Sequence, residues 1–387
     1  MPDAVVIGGG LAGSSLAIRL GSLGWNTMLF DRLRFPRHKA CGEFLSPETL
    51  EVFKELGVYV ALKALKPGRI TKARIVFRHG GVVEAKLEQP AWGLSRYEMD
   101  AVLLEAAEKA GTQVHTGTSV SSIAADSGAF RIGIRSAGGT NILYARTVFA
   151  AWGVHPRTEL AARPAKRRGR TAYIGIKAHF GGVATDQAVE LYFIRHGYIG
   201  ISPVEGGKTN VAALLPLDRI RRKGNSVREL LLSAAADNKQ LAERLAGGTV
   251  IPDSEVSIAP VYLSLEPDVW GIVPQIGDAG AMIPPLFGDG MSAALRSAGR
   301  CAHYGDKYLR NAMSMEEWYR AYRLDMQKEY ASILSLGRRL QALANMPVVP
   351  RIFTACARMF PQLGDAVVKS TRMGPQTPPE NGDDGHG

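Results

Sequence analysis

At 387 residues, 46% of them hydrophobic, the chain has enough apolar material for one large or two moderate packed domains, which excludes a disordered chain and a small disulfide-stapled scaffold. Its three cysteines, Cys41, Cys301 and Cys356, are odd in number and far apart, as reduced thiols are, and no His or Cys spacing suggests a metal site. Part of the formal charge of +11 sits in 163–170 and 219–223, but without the interleaved aromatics of a single-strand binder. Solvated surface is therefore expected there, and no nucleic acid partner.

Taken in order, the chain opens with an apolar strand, Ala4 to Ile7, that runs directly into Gly8-x-Gly10-x-x-Gly13. A helix pattern follows through Leu20, and a second apolar strand, Thr27 to Phe30, ends in Asp31. This is the pattern of a dinucleotide-binding βαβ unit. Gly8 permits the tight turn, Gly10 lets a pyrophosphate approach the backbone, and Gly13 lets helix and strand pack closely. The N–H groups around Leu11 and Ala12, at the positive end of the helix, are then free to bind phosphate. Asp31 is placed to accept ribose hydroxyls. The strand begins at residue 4, leaving no room for a signal peptide, and no apolar run has membrane-span length, so a cytoplasmic location is expected.

The polar, proline-broken stretch from Arg32 to Pro47 should cross the surface as a loop. Ser46-Pro47 should cap and start a helix to Leu56, with Leu50, Phe53 and Leu56 on its apolar face. Arg74 to Leu87 alternates as a hairpin about Gly80-Gly81, and Arg96 opens a helix that Gly111 ends. Strands are expected at Gln113–His115, at Val120–Ala124, on either side of a turn at 136–139, and at Arg146–Ala151. Beyond a basic linker, Thr171–Phe180, Ala188–Ile194, a hairpin over Gly197–Val211 and Ile258–Leu263 read as further strands, with one helical stretch from Val227 to Leu245.

A second diagnostic segment lies at 271–295. A strand should end at Gly277-Asp278, followed by a proline loop with Pro284-Pro285, and a helix should begin near Gly288 to Met291, offering a second anion site at its N-terminus. From Ser314 the pattern is helical to about Lys369, interrupted by Pro347 and Pro350. Residues 373–387, rich in Pro, Gly and Asp, read as a disordered tail.

With these motifs in hand, the chain resembles the flavin-dependent oxidoreductases of the geranylgeranyl reductase type. These lie within the para-hydroxybenzoate hydroxylase-like superfamily, beside aromatic hydroxylases and flavin-dependent halogenases. The resemblance spans most of residues 1–310. It rests on the glycine turn with Asp31, the Phe35-Pro36-Arg37 to Cys41-Gly42-Glu43 loop, Arg96, Gly277-Asp278, and the turn from Pro284-Pro285 to Gly290-Met291. It implies FAD as cofactor, with NAD(P)H or a donor protein as the source of electrons. Its FAD-binding residues would be Gly8, Gly10, Leu11, Ala12, Gly13, Asp31, Arg32, Cys41, Gly42, Arg96, Gly277, Asp278, Pro285, Gly288, Gly290 and Met291. The backbone from Phe287 to Met291 would hold the pyrimidine edge of the flavin, where a helix N-terminus stabilises the charge of the reduced form.

Two departures mark this chain. Tyr198-Ile-Gly200-Ile-Ser202-Pro203 resembles a substrate-domain motif of the reductases, with Gly200 and Ser202 in place of bulky residues. Ala150-Ala151-Trp152-Gly153 replaces the Asp-Gly pair with which hydroxylases handle flavin and nicotinamide. Cys41 and Tyr198 are the catalytic candidates, although a buried, inert thiol is the plainer reading of Cys41. Ser202 to Thr209 is a near miss to a P-loop, but a strand rather than a helix follows it, and no Gly-x-Ser-x-Gly elbow is present.

The expected architecture is α/β: a glutathione reductase-type FAD-binding Rossmann-like domain (1–67, 91–165 and 264–310) with an inserted β-sheet substrate domain (68–90 and 166–263). A helical C-terminal region (311–372) and the tail complete it. The expected activity is reduction of a carbon–carbon double bond in a hydrophobic isoprenoid or polyketide-like molecule by hydride transfer from reduced FAD. An FAD-dependent monooxygenase is the first alternative and a non-enzymatic flavoprotein or membrane-surface binder the second. The apolar stretch Val348–Val368 leaves a peripheral membrane contact open.

Overall fold

The computed structural model describes residues 1–79, 81–154, 171–195, 197–220, 226–285 and 288–344. The basic segment 163–170, Gly80, Phe287, Cys356, the stretch Val348–Val368 and the tail from 373 lie outside them.

The opening unit folds as β1 (Ala4–Ile7), α1 (Leu11–Ser22) and β2 (Thr27–Phe30). Then follow β3 (Phe44–Leu45), α2 (Pro47–Glu55), α3 (Tyr59–Ala64), β4 (Gly68–Val76), β5 (Val82–Gly93), α4 (Arg96–Lys109) and β6 (Gln113–His115). A three-stranded antiparallel sheet is made by β7 (Ser119–Asp126), β8 (Ala129–Ser136) and β9 (Gly139–Ala145), and β10 (Thr147–Ala150) closes the first half of the chain. β10, β1, β2 and β6 form a parallel sheet in that order. Its central strand is buried on both faces, so it reads as a continuous apolar run rather than an alternation. Ala4 and Val6 pack among the helices, whereas Val5 and Ile7 pack against Val120 and Ile132 of the small sheet.

The second half supplies β11 (Tyr173–Gly181), β12 (Ala188–Ile194), β13 (Gly197–Pro203), β14 (Thr209–Pro216), α5 (Val227–Ala235), α6 (Lys239–Leu245), β15 (Thr249–Val250) and β16 (Val256–Val261). With β3, β4 and β5 these strands build a large mixed sheet in the order β15-β11-β14-β13-β12-β4-β5-β3, with β16 also pairing to β11. One face carries Ile176, Ala178, Ile199, Ile201, Val211 and Ala213, covered by Leu231, Leu241 and Leu245 of α5 and α6. The other face is turned the opposite way by the two-residue period of the strands. α7 (Gly290–Leu309) and α8 (Met315–Ala344) complete the helical layer.

Three expectations need correction. The single helix expected over Val227–Leu245 is two helices, because Asn238 leaves helical geometry (φ −131°) and its side-chain oxygen accepts the Leu241 N–H at 3.3 Å as a new cap. The approach to Gly277-Asp278 is not a strand but a single parallel bridge, Ala150 to Gln275, after which the chain makes a 3-10 turn at Gly277–Ala279. Ser46 precedes α2 as expected, yet its hydroxyl meets the Thr49 hydroxyl at 3.1 Å and not a backbone N–H.

Candidate active site

The glycine turn is shaped by close approaches. Gly8 has φ 111°, a conformation that favours glycine, and a Cβ at Gly13 would overlap the Gly8 carbonyl oxygen. Gly10 differs: a Cβ there would meet only the Arg96 guanidinium, at 3.5 Å. The space over Gly10 is therefore open and floored by a cation. No side chain caps α1, so the N–H groups of its first turn, at Leu11, Ala12 and Gly13, have no cap partner, while Ser14 N–H makes the first helical bond to Gly10 O. A diphosphate fits this cradle.

Asp31 is buried, and its carboxylate accepts the N–H groups of Gly9 and Leu33, each at 2.8 Å. It thus holds the turn in shape and still has lone pairs for a ribose. Arg32, beside it, is exposed. Arg96 is buried and bound bidentately to Asp100, with both N–O distances 2.8 Å. Burial opposes its charge, but Asp100, with Cys41 and Asp278 further off, outweighs that and raises its pKa.

The second FAD segment meets the first at Gly277 (φ 59°), where a Cβ would lie 3.0 Å from Cβ of Ala12. Gly277 N–H donates to Ser297 Oγ at 2.9 Å, and Lys39 Nζ lies 3.3 Å from Asp278 Oδ2, tying the 38–43 loop to this segment. Gly288 (φ 76°) passes so close to Phe44 that a Cβ would lie 2.7 Å from its ring. Gly290 opens α7 behind Asp289, Met291 is buried, and Pro285 is half-buried at the end of the proline loop. The structure so brings Gly8, Gly10, Leu11, Ala12, Gly13, Arg96, Gly277 and Asp278 into one neighbourhood, bordered by half-buried Cys41 and exposed Gly42.

Against the 38–43 loop stands the face of the large sheet that α5 and α6 do not cover. The strand registers align it in rows: His179, Asn210 and Ser202; then Lys177, Ala212, Gly200 and Leu191; then Gly175, Leu214, Tyr198 and Phe193. The first row grips the loop, since Asn210 Nδ2 donates to Cys41 O at 3.0 Å and Ser202 Oγ to Gly42 O at 2.9 Å. The second is made small by Ala212 and Gly200; a Cβ on Gly200 would have no neighbour nearer than 3.9 Å. The third opens an apolar cluster that includes Tyr198, Leu214, Val261, Tyr173 and Phe193. The face thus passes from polar to small to apolar. Two buried polar atoms on it, Asn210 Oδ1 and Tyr198 Oη, have no hydrogen-bond partner among the described residues, as expected where a ligand belongs. Burial, with Tyr173 nearby, pushes the Tyr198 phenol well above its ordinary pKa.

Sequence reasoning missed the charged cluster at the junction. Glu43, in the left-handed region (φ 55°), is fully buried; its Oε1 accepts from Lys177 Nζ at 3.1 Å and from Arg96 N–H at 3.0 Å, and its Oε2 lies 2.6 Å from His179 Nε2. Lys177 is also fully buried and reaches His38 Nδ1 at 3.1 Å. The signal was Lys177-x-His179, two polar residues on one face of an otherwise apolar strand.

A family model described as an FAD binding domain matches residues 1–258. The menaquinone reductase of Mycobacterium tuberculosis (strain ATCC 25618 / H37Rv) is 24% identical over 392 residues, covering 96% of this chain and 88% of that protein. The FAD-dependent monooxygenase OpS4 of Beauveria bassiana is 30% identical over 170 residues, 41% of this chain and 39% of that one. The flavin-dependent brominase Bmp2 superposes with a TM-score of 0.79 at 19% identity, over 96% of this chain and 93% of that chain, which shows a shared fold.

Proposed function

The chain belongs to the FAD-binding-domain family and is an FAD-dependent oxidoreductase, and we propose that it reduces a carbon–carbon double bond in a lipophilic substrate. The observation that carries this is the graded face beside the Cys41-Gly42 loop: its apolar row suits a long hydrocarbon, and its small row leaves room for it beside the flavin-binding loop. The match to menaquinone reductase over nearly the whole of both chains supports a reductase, and isoprenoid substrates of the geranylgeranyl reductase kind belong to the same reading.

When bound, FAD supplies the two-electron hydride chemistry. The Gly8–Gly13 turn would hold its diphosphate, with the Arg96–Asp100 pair beneath it, and Gly277-Asp278 would seat the second half of the dinucleotide. Gly42, Ser202 and Asn210 fix the loop between cofactor and substrate, and Tyr198 with Leu214 excludes water from the hydrocarbon. The domain division given above and a hydrophobic small molecule as the main partner are part of this proposal. Trp152-Gly153 in place of the Asp-Gly pair makes NAD(P)H a slow reductant, so an electron-donor protein is the preferred source.

The test is anaerobic stopped-flow absorbance on dithionite-reduced protein mixed with menaquinone in detergent micelles. Flavin reoxidation should proceed without oxygen, and the product, after exposure to air, should retain two added hydrogens by mass spectrometry. Simple quinone reduction would leave no such gain, because a quinol returns to the quinone in air. A monooxygenase is the second reading, favoured by the OpS4 match over 41% of this chain. Conversion only when oxygen is admitted, with one oxygen gained, would replace the reductase reading with it.

A further inference from the structure

The buried ion cluster at the sheet junction has a single outlet. Of its four members, Glu43, Lys177 and His179 are buried, and only His38 is partly exposed. The polarity of the chain between them follows from donors and acceptors. A lysine ammonium can only donate, so the 3.1 Å contact between Lys177 Nζ and His38 Nδ1 makes Nδ1 the acceptor, and a neutral His38 then carries its proton on Nε2.

We propose that Lys177 and His38 form a proton relay for the substrate: His38 Nε2–H protonates the substrate carbon that does not receive the hydride, and Lys177 replaces that proton through Nδ1. The proposal deepens the reductase reading and rests on it. Atoms and charge balance. Hydride from reduced FAD adds to one carbon of the double bond and a proton from Nε2 to the other. Lys177 passes one proton to Nδ1, leaving a neutral amine and a neutral imidazole in its other tautomer. A solvent proton arriving at Nε2 then returns the Nδ1 proton to Lys177, with no ring flip.

The surroundings tune both groups in the required sense. Burial, then Lys177 and His179, with Lys208 further off, lower the His38 pKa to about 4 against the pull of Glu43, so the ring is neutral and a donor at neutral pH. Burial lowers the Lys177 pKa against Glu43, Cys41 and Glu205, making it a better acid than a solvated lysine. Tyr97 of α4 packs on the His38 ring at 4.7 Å between centroids, and the His179 ring meets it edge-on at 5.2 Å, fixing its plane. Lys177 stands in the row with Ala212 and Gly200, so the outlet borders the small part of the substrate face.

Two measurements decide it. In FAD-loaded protein with ¹⁵N-labelled histidine, long-range ¹H–¹⁵N spectra should show His38 as the Nε2–H tautomer at neutral pH, titrating near 4. In Lys177→Met the midpoint should rise toward 6.5 and the tautomer preference should fall. In the anaerobic menaquinone assay, His38→Gln and Lys177→Met should slow formation of the air-stable product with two added hydrogens about 100-fold or more with FAD still bound. The wild-type rate should fall as pH rises through the lowered Lys177 pKa, and that step should vanish in Lys177→Met. Should Lys177→Met fail to fold, Lys177→Met/Glu43→Gln removes both charges together. A His38 proton on Nδ1, a titration indifferent to Lys177, or formation of the air-stable reduced product within twofold of wild type in both variants overturns the relay. A wild type that menaquinone does not reoxidise, with the spectra as expected, overturns the reductase reading and the substrate protonation that rests on it, and leaves only the Lys177–His38 hydrogen bond.

Discussion

Gly10 and Gly13 lie three residues apart in one motif and answer different demands. At Gly13 a methyl group would collide with the Gly8 backbone, whereas at Gly10 it would enter open space floored by Arg96. Gly13→Ala should therefore lose both stability, by about 1–3 kcal/mol of overpacking strain, and FAD. Gly10→Val should emerge colourless and keep the melting temperature of the FAD-free wild type. Flavin absorbance and thermal unfolding on the same preparations check the pair, and a yellow Gly10→Val would displace the phosphate cradle. These glycines and Asp31 stand out in the sequence because the turn they shape lies within one local unit, where Asp31 accepts the Gly9 N–H. Lys177 and His179 do not. Their partner Glu43 is 136 residues from His179, and a lone lysine in a strand reads as an edge or surface residue until the sheet places it.

Elements were legible where their bonding is local. The βαβ unit, the β4–β5 hairpin and the helix opened by Ser95, whose hydroxyl accepts the Glu98 N–H, follow from period and caps. The break at Asn238 was hidden because apolar residues continue on both sides of it, and the helix it starts does more than cover the sheet. From α6, Arg244 reaches Glu190, fully buried on β12, which also accepts the Tyr192 hydroxyl. Arg244→Ala should cost about 3 kcal/mol, since it leaves that carboxylate buried beside a single neutral donor. Urea denaturation measures this. Arg244→Met/Glu190→Leu should recover most of the loss, because replacing both charges removes the desolvation penalty as well as the pair. If the double variant is no better than the single one, the loss lies in packing rather than in charge.

At the scale of the molecule, the sequence set 311–372 apart as a helical region, and its period alone showed that a face is buried but not against what. α8 shares the core of the nucleotide-binding half. Trp318 is fully buried, with ring contacts to Phe149 of β10 at 5.6 Å and to Trp270 at 5.3 Å. One turn on, Tyr322 donates to Gln275 O at 3.0 Å, and Tyr330 donates to Ala293 O in the first turn of α7 at 3.1 Å. Gln275 lies two residues before Gly277, and Ala293 three beyond Gly290. α8 thus grips both sides of the segment that carries Asp278 and the second helix N-terminus. Trp318→Ala should cost about 3–5 kcal/mol by leaving a cavity, and it should also loosen FAD, because the relaxed segment no longer holds Gly277 against Ala12. Tyr322→Phe removes one hydrogen bond, worth about 1 kcal/mol, from the same segment with almost no change in volume. It should therefore weaken FAD retention out of proportion to its small effect on stability. Chemical denaturation gives the first quantity and flavin fluorescence on dilution the second. FAD retention that tracks overall stability alone, with Tyr322→Phe indistinguishable from wild type, would reduce α8 to a cover for the core with no hold on the cofactor.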